Sequence, residues 1–295
     1  MPIQRRKWLK QSISGAGAII VSGGLKLSLQ DQITGIQEVV PSYKFRHSVC
    51  RWCYNTVSLE KLIVSCKAIG IHSIELLGPE EYKIVIQNGL ECAIANGSQL
   101  GITKGFNDSK NHNQLHKDYE RLIPLAADHG IRKIICFSGN RNKSTDKKAL
   151  DTCAKGLDKL VKLAGKYNMQ MVMELLNSKV DHKDYHCDHT EWGVALADKI
   201  ASPHFRLLYD IYHMQIMEGD VIATIRKYSP YISHFHTGGV PGRNEINENQ
   251  ELNYKAIIKA IAETGYDGYI GQEFIPTRMD PMESLQEGIR ICSLV

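Results

Sequence analysis

At 295 residues the chain exceeds a typical single domain but lies within the range of one α/β barrel, and its 43% hydrophobic content suffices for a sizeable core. The net charge of +4 belongs to the N-terminus: Arg5, Arg6, Lys7, Lys10 and Lys26 fall in the first 30 residues with no acid, so 31 of the 36 bases remain against 32 acids, about −1 for the rest. A near-neutral body does not suggest the clustered Lys/Arg face of a nucleic-acid binder, and fits an endonuclease poorly.

The chain opens on QRRKWLKQSISGAGAIIVSGGL. A twin arginine, Arg5-Arg6, precedes a weakly apolar, Gly/Ala-rich run from Ile13 to Leu25. This resembles a twin-arginine export signal, with a cytoplasmic basic tail as the alternative. The run is too short and too Gly-rich for a stable membrane span. Residues 1–40 are therefore expected to be leader and linker, and the destination periplasmic. Of the eight cysteines only Cys50 and Cys53 are close, as CRWC. A structural zinc site needs a second such pair, so all eight read as ordinary buried or half-buried thiols.

Beyond the leader, strands and helices alternate. Lys44–Cys50 is a candidate first strand. Ser58–Ile69 has helical spacing of Leu59, Leu62, Ile63, Cys66 and Ile69, with Gly70 as its stop. His72–Leu77 is a second strand ending near Glu75, and Tyr82–Asn88 a helix stopped by Gly89. Glu91–Asn96 and Leu100–Phe106 compete for the third strand. Asn113–His129 is a helix that Pro124 weakens or kinks. Lys133–Phe137 is a strand, Thr145–Tyr167 a long amphipathic helix, and Gln170–Leu175 a strand carrying Glu174.

Asn177–Thr190 is longer than an ordinary βα connection and reads as a lid or binding loop. Glu191–Ile200 is a helix, Phe205–Tyr209 a strand, Met217–Tyr228 a helix and Tyr231–Phe235 a strand. A glycine- and charge-rich loop covers Gly238–Asn249. Tyr254–Thr264 is a helix, Tyr269–Phe274 the last strand, and Pro281–Ser293 the last helix. Eight strand–helix units without a break predict a single (β/α)8 TIM barrel over residues 41–295.

Four metal-competent residues fall at successive strand ends: Glu174, Asp210, His236 and Glu273. In a barrel those C-terminal ends converge on one face. Taken singly, an acid there is as readily a helix cap; four in a row point to a site. Three carboxylates packed together repel unless a cation joins them, and this donor set suits Mg²⁺ or Mn²⁺, with Co²⁺ or Zn²⁺ as alternatives. His213 follows Asp210 by three residues, and Arg243 lies in a Gly-Gly-Val-Pro-Gly-Arg loop just past His236. Both are candidates to contact a substrate, as are Asn177 and Lys179.

The segments ELLNSKVDH (174–182), CDHTEWGV (187–194), LLYDIYHMQIMEGD (207–220), HFHTGGVPGRNEI (234–246), QELNY (250–254) and GYIGQEFIP (268–276) resemble the hydroxypyruvate isomerase family, a branch of the xylose-isomerase-like barrels. The resemblance implies one divalent metal on Glu174, Asp210, His236 and Glu273, with Glu174 and Glu273 as the acid/base pair. Some family members carry Gln at the position of His236, where ketose epimerases carry His. It also implies a small hydroxy-keto acid or sugar as substrate, interconverted through a cis-enediolate, and a homo-oligomer. Two alternatives stay open: an exported ketose 3-epimerase or keto-sugar epimerase or lyase, and a non-catalytic sugar-binding barrel.

Overall fold

In a computed structural model of the chain, residues 45–293 are described. The expected leader lies outside them. Seven strands share one sheet: β1 (Arg46–Cys50), β2 (Ser73–Glu75), β3 (Lys133–Cys136), β4 (Gln170–Glu174), β5 (Phe205–Asp210), β6 (Ile232–Thr237) and β7 (Tyr269–Gln272). Their order is β2-β1-β7-β6-β5-β4-β3, every pair parallel. Nine α-helices are described: α1 (Leu59–Ile69), α2 (Pro79–Gln87), α3 (His112–Asp128), α4 (Asp146–Lys166), α5 (Thr190–Ile200), α6 (Ile211–Met217), α7 (Val221–Tyr228), α8 (Tyr254–Glu263) and α9 (Pro281–Cys292). This is the barrel architecture that the strand–helix alternation predicts.

The gap between β2 and β3 is filled by residues 91–96, which settles the competition for the third position. Leu76 donates its N–H to Ile94 (2.9 Å), Ala95 to Lys133 (2.9 Å) and Ile135 to Ala95 (3.0 Å). The contacts are isolated bridges at Ser73–Glu91, Leu77–Ala95 and Ala95–Ile134, too sparse for a ladder. Residues 100–106 form turns and bends instead of a strand.

Local signals explain most helix ends. The Ser58 side chain accepts from the Lys61 N–H to start α1, and Gly70 ends it at φ 88°. The α3 helix runs through Pro124 without a break in its assignment. One expectation fails: residues 217–228 are not a single helix. The α6 and α7 helices are separated at Glu218–Asp220, where Gly219 (φ 65°) and Asp220 (φ 42°) both turn left-handed. The apolar spacing continues across a break that only the backbone angles reveal.

Side chains alternate across each strand, so every second residue enters the barrel. The outward set packs with the helices into the main core. Inside, Ile94, Ile135, Val172 and Leu208 form a second, smaller apolar cluster, with Leu76 and Phe137 packed on it. The opposite half of the interior is polar, built from Ser48, Cys50, Ser73, Glu75, His234 and His236, all fully buried. Gly271 on β7 makes this possible. A Cβ there would lie 2.5 Å from Glu75 Oε1 and 2.8 Å from the His236 ring. Among the described residues, no helix is long and apolar enough to cross a membrane. All eight cysteines are free, as expected of buried thiols; Cys53 alone is half-buried.

Candidate metal and acid–base centre

Strand register delivers the four candidate ligands to one point. Glu174 ends β4, Asp210 ends β5, His236 is next to last on β6, and Glu273 follows β7 directly. One ligand atom from each lies within 4.8 Å of the others, and all four residues are buried. Each is held by neighbours. Glu273 Oε1 accepts from the Trp52 indole N–H (2.7 Å), and Oε2 faces His236 Nδ1 (2.9 Å) and the Arg243 guanidinium (2.5 Å). Arg243 also reaches Asp210 Oδ2 at 3.3 Å and lies over the faces of Trp52 and Tyr212. Glu174 Oε1 is 3.3 Å from His236 Nδ1 and is buried without a hydrogen-bond partner.

The electrostatics divide the two glutamates. Burial would raise Glu273, but the His236 and Arg243 charges, with hydrogen bonds from His236 and Trp52, hold it well below the usual carboxylate range. Burial raises Glu174, and the nearby Glu273 charge raises it further. One is thus held as a carboxylate and the other tends toward the acid. Two carboxyls with separated proton affinities are the arrangement that lets one take a proton while the other gives one.

Below the quartet lies a layer that the strand pattern does not announce. Glu75 Oε1 accepts from His236 Nε2 (2.7 Å) and His234 Nε2 (2.9 Å), and Cys50 Sγ stands 3.4 Å away. Burial opposes the charge on Glu75, yet the two imidazoles keep its carboxyl well below its ordinary value. With Nε2–H committed to Glu75, His236 has Nδ1 to offer upward, the carboxylate–histidine pairing that commonly orients a metal ligand. The signal for Glu75 was an acid inside the apolar run HSIELL. Trp52 and His182, which also line the cavity above the quartet, carried no such signal.

A divalent cation fits these residues. Three carboxylates and an imidazole nitrogen converge, one carboxylate oxygen is orphaned, and a guanidinium already occupies the cationic position between Asp210 and Glu273. Two other groupings, Cys50–His236–Glu273 and Glu75–His234–His236, share the same imidazole. Only the quartet combines three hard oxygen donors with access to the cavity, which Glu174 and Glu273 line.

The expected substrate contacts are placed differently from one another. Arg243 lines the cavity, but its guanidinium pairs with the protein's own carboxylates. His213 is fully buried behind Asp210, with Nε2 3.5 Å from Oδ2. Asn177 Oδ1 accepts the N–H groups of Val180 and Asp181, so its amide nitrogen must be the group facing His213 Nδ1 at 2.7 Å. That fixes the His213 proton on Nε2, toward Asp210. Asn177 therefore orders the loop and His213 and does not line the cavity. Lys179 corrects an expectation: its ammonium donates to the carbonyls of Ile216 (2.9 Å) and Met217 (3.0 Å), capping α6, and is not among the cavity-lining groups. The free carbonyls of a helix C-terminus accept hydrogen bonds from a lysine and favour its charge. The loop that holds both is pinned by Asp188, which pairs with Arg141 (2.7 Å) and Ser178 (2.5 Å).

A parallel barrel with acids and an imidazole at its C-terminal mouth is an enzyme-like framework shared by many folds' worth of chemistry. The family description "Xylose isomerase-like TIM barrel" matches residues 65–293, and the chain belongs to that family. Hydroxypyruvate isomerase of Escherichia coli strain K12 is 25% identical over 218 residues, covering 70% of this chain and 84% of that one. A Homo sapiens relative, provisionally named a hydroxypyruvate isomerase, is 32% identical over 114 residues, covering 39% of this chain and 41% of its own. The match thus spans less than half the length of the human relative. Among solved structures, an AP endonuclease, family 2, from Brucella melitensis superposes with a TM-score of 0.74 at 20% identity, covering 82% of this chain and 97% of that one.

Proposed function

We propose that the chain is a divalent-cation-dependent isomerase that shifts a proton between the neighbouring carbons of an α-hydroxy-carbonyl compound. Hydroxypyruvate, named in the relatives, is the first candidate, with tartronate semialdehyde as its product. One observation carries the reading: Glu174, Asp210, His236 and Glu273 bring ligand atoms within 4.8 Å of one another at the strand ends, and both glutamates line the cavity. A cation held by Glu174, Asp210, His236 and Glu273 would polarise the substrate's two adjacent oxygens. The side chains supply the proton traffic. One of the two glutamates would remove the C–H proton next to the carbonyl and a carboxyl would return a proton to the adjacent carbon, while the hydroxyl proton passes to the former carbonyl oxygen. Trp52 holds the Glu273 carboxylate in place through Oε1, and the backbone N–H of His213 donates to Asp210 Oδ1 (3.2 Å).

The test is solvent deuterium incorporation, followed by NMR, with hydroxypyruvate and added Mn²⁺. Glu174→Gln and Glu273→Gln are each expected to lose exchange by at least a hundredfold, in the range typical of general acid–base groups, while far-ultraviolet circular dichroism is unchanged. Exchange at the wild-type rate in either variant would overturn the assignment. We further propose that Arg5 and Arg6 direct export. Replacing both by Lys is expected to leave the protein in the cytoplasmic fraction of its host; equal periplasmic recovery would refute the leader.

A further inference from the structure

The cavity above the quartet measures about 440 Å³. Its lining is mixed in chemistry. Glu174, Glu273 and Arg243 belong to it. The lining also includes five apolar side chains, Leu76, Ile102, Ile135, Phe137 and Leu176, of which Leu76, Ile135 and Phe137 pack together in the interior cluster. The other polar lining groups are Asn96, whose Oδ1 already accepts the Gly97 N–H, and His182, which packs edge-on against His213 beside Asp210.

Leu76 shows that the wall is built and not incidental. Glu75 points into the barrel, so strict alternation would send Leu76 outward to the helices. Instead Leu76 takes a left-handed backbone (φ 56°), unusual for a bulky residue. Its N–H is tied to the Ile94 carbonyl at 2.9 Å. The kink brings two consecutive side chains inward: Glu75 to the histidines, and Leu76 onto the Ile135–Phe137 side of the interior cluster. Leu77 then returns to the outer core. Backbone strain retained at a cavity wall is found where the side chain's placement matters to what binds there.

A three-carbon keto acid would occupy a fraction of this space and leave water against five apolar side chains. Those five side chains offer the hydroxyls of an open-chain sugar no hydrogen-bond partner, so water would have to supply them. We infer that the substrate of this site carries an apolar face next to its α-hydroxy-carbonyl unit — an alkyl or aryl group, or the C–H side of a ring — seated on the wall of Leu76, Ile102, Ile135, Phe137 and Leu176. The inference rests on the proposed α-hydroxy-carbonyl chemistry and extends it from the reacting atoms to the remainder of the substrate.

The test is calorimetry on the full chain with Mn²⁺, titrating hydroxypyruvate and 1-hydroxy-2-alkanones of three to eight carbons. Affinity is expected to rise about fourfold per added methylene until the wall is covered, with an increasingly negative heat-capacity change. Ile102→Asn, a half-buried position in a turn, is expected to flatten that slope. Deuterium exchange is followed in the same samples. Exchange into hydroxypyruvate with a flat affinity series overturns this inference alone. A slope that Ile102→Asn leaves intact also overturns it, because the alkyl chain then lies elsewhere. Exchange into no member overturns the functional reading beneath it.

Discussion

Glu75 accepts hydrogen bonds from both His234 and His236 across sequence separations of 159 and 161 residues. Its effect on the centre is indirect: it fixes which nitrogen His236 presents to Glu174, Asp210 and Glu273. Glu75→Gln keeps the shape but removes the charge that holds the two Nε2–H groups. Mn²⁺ affinity, measured by calorimetry, is expected to fall 10- to 100-fold, the usual loss when a ligand's orienting partner is removed. An unchanged affinity would show that His236 is oriented by its strand alone. Glu174, Asp210, His236 and Glu273 were legible beforehand because each sits at a strand terminus, a position that local periodicity marks. Glu75 was not, because an acid near a strand end is ordinary and its partners lie on β6. Arg243 was legible as a cation near the centre. Its pairing with Asp210 and Glu273 was not, since it depends on the fold of the 238–249 loop.

At the scale of elements, β1 and the end of α9 meet through a buried histidine. His47 Nε2 lies 2.8 Å from Ser293 Oγ, and Nδ1 has no partner. Burial, helped by the charge of His72, pushes His47 down to about 4. Its unfolded counterpart titrates near pH 6.5. Between those values the unfolded chain takes up a proton that the folded chain refuses. Stability from this group is therefore complete above about pH 6.5 and is lost as pH falls toward 4, by about 3 kcal/mol. Urea denaturation at pH 7 and pH 4.5 is expected to show a smaller difference for His47→Gln than for the wild type. An equal difference would place the acid sensitivity in other groups.

Elements also show where sequence patterns stop being informative. The helices were found from apolar spacing and caps because both are local. The α6 helix was not found, and the helix expected over Met217–Tyr228 starts only at Val221, because left-handed angles at Gly219 and Asp220 leave the hydrophobic pattern unbroken. Lys179 was misread for a related reason. Its partners are the carbonyls at the end of α6, a helix that the sequence reading did not place.

At the scale of the molecule, the barrel interior is divided. Polar side chains from β6, β1 and β2 support the quartet, while Ile135, Val172 and Leu208 from β3, β4 and β5 support the apolar wall. Packing three carboxylates at the mouth costs stability unless a cation is present. Removing metal with EDTA is therefore expected to lower the melting temperature, and Mn²⁺ at a hundred times its dissociation constant to restore about 2.7 kcal/mol. For a chain of this size that corresponds to roughly 5–10 °C, read by differential scanning fluorimetry. Identical melting curves with and without Mn²⁺ would exclude a cation bound to the folded state.

The amino-acid sequence by itself determined the order of strands and helices, the barrel they build, and the four residues at the strand ends. Those features follow from side-chain periods of two and 3.6 and from the rule that parallel strands send their C-terminal ends to one face. Tertiary structure alone decided that residues 91–96 close the ring, that Glu75 lies under His236, that Arg243 pairs with Asp210 and Glu273, and that Leu76 turns inward to make an apolar wall. Each of these depends on contacts between strands far apart in the chain, which exist only once the barrel has closed.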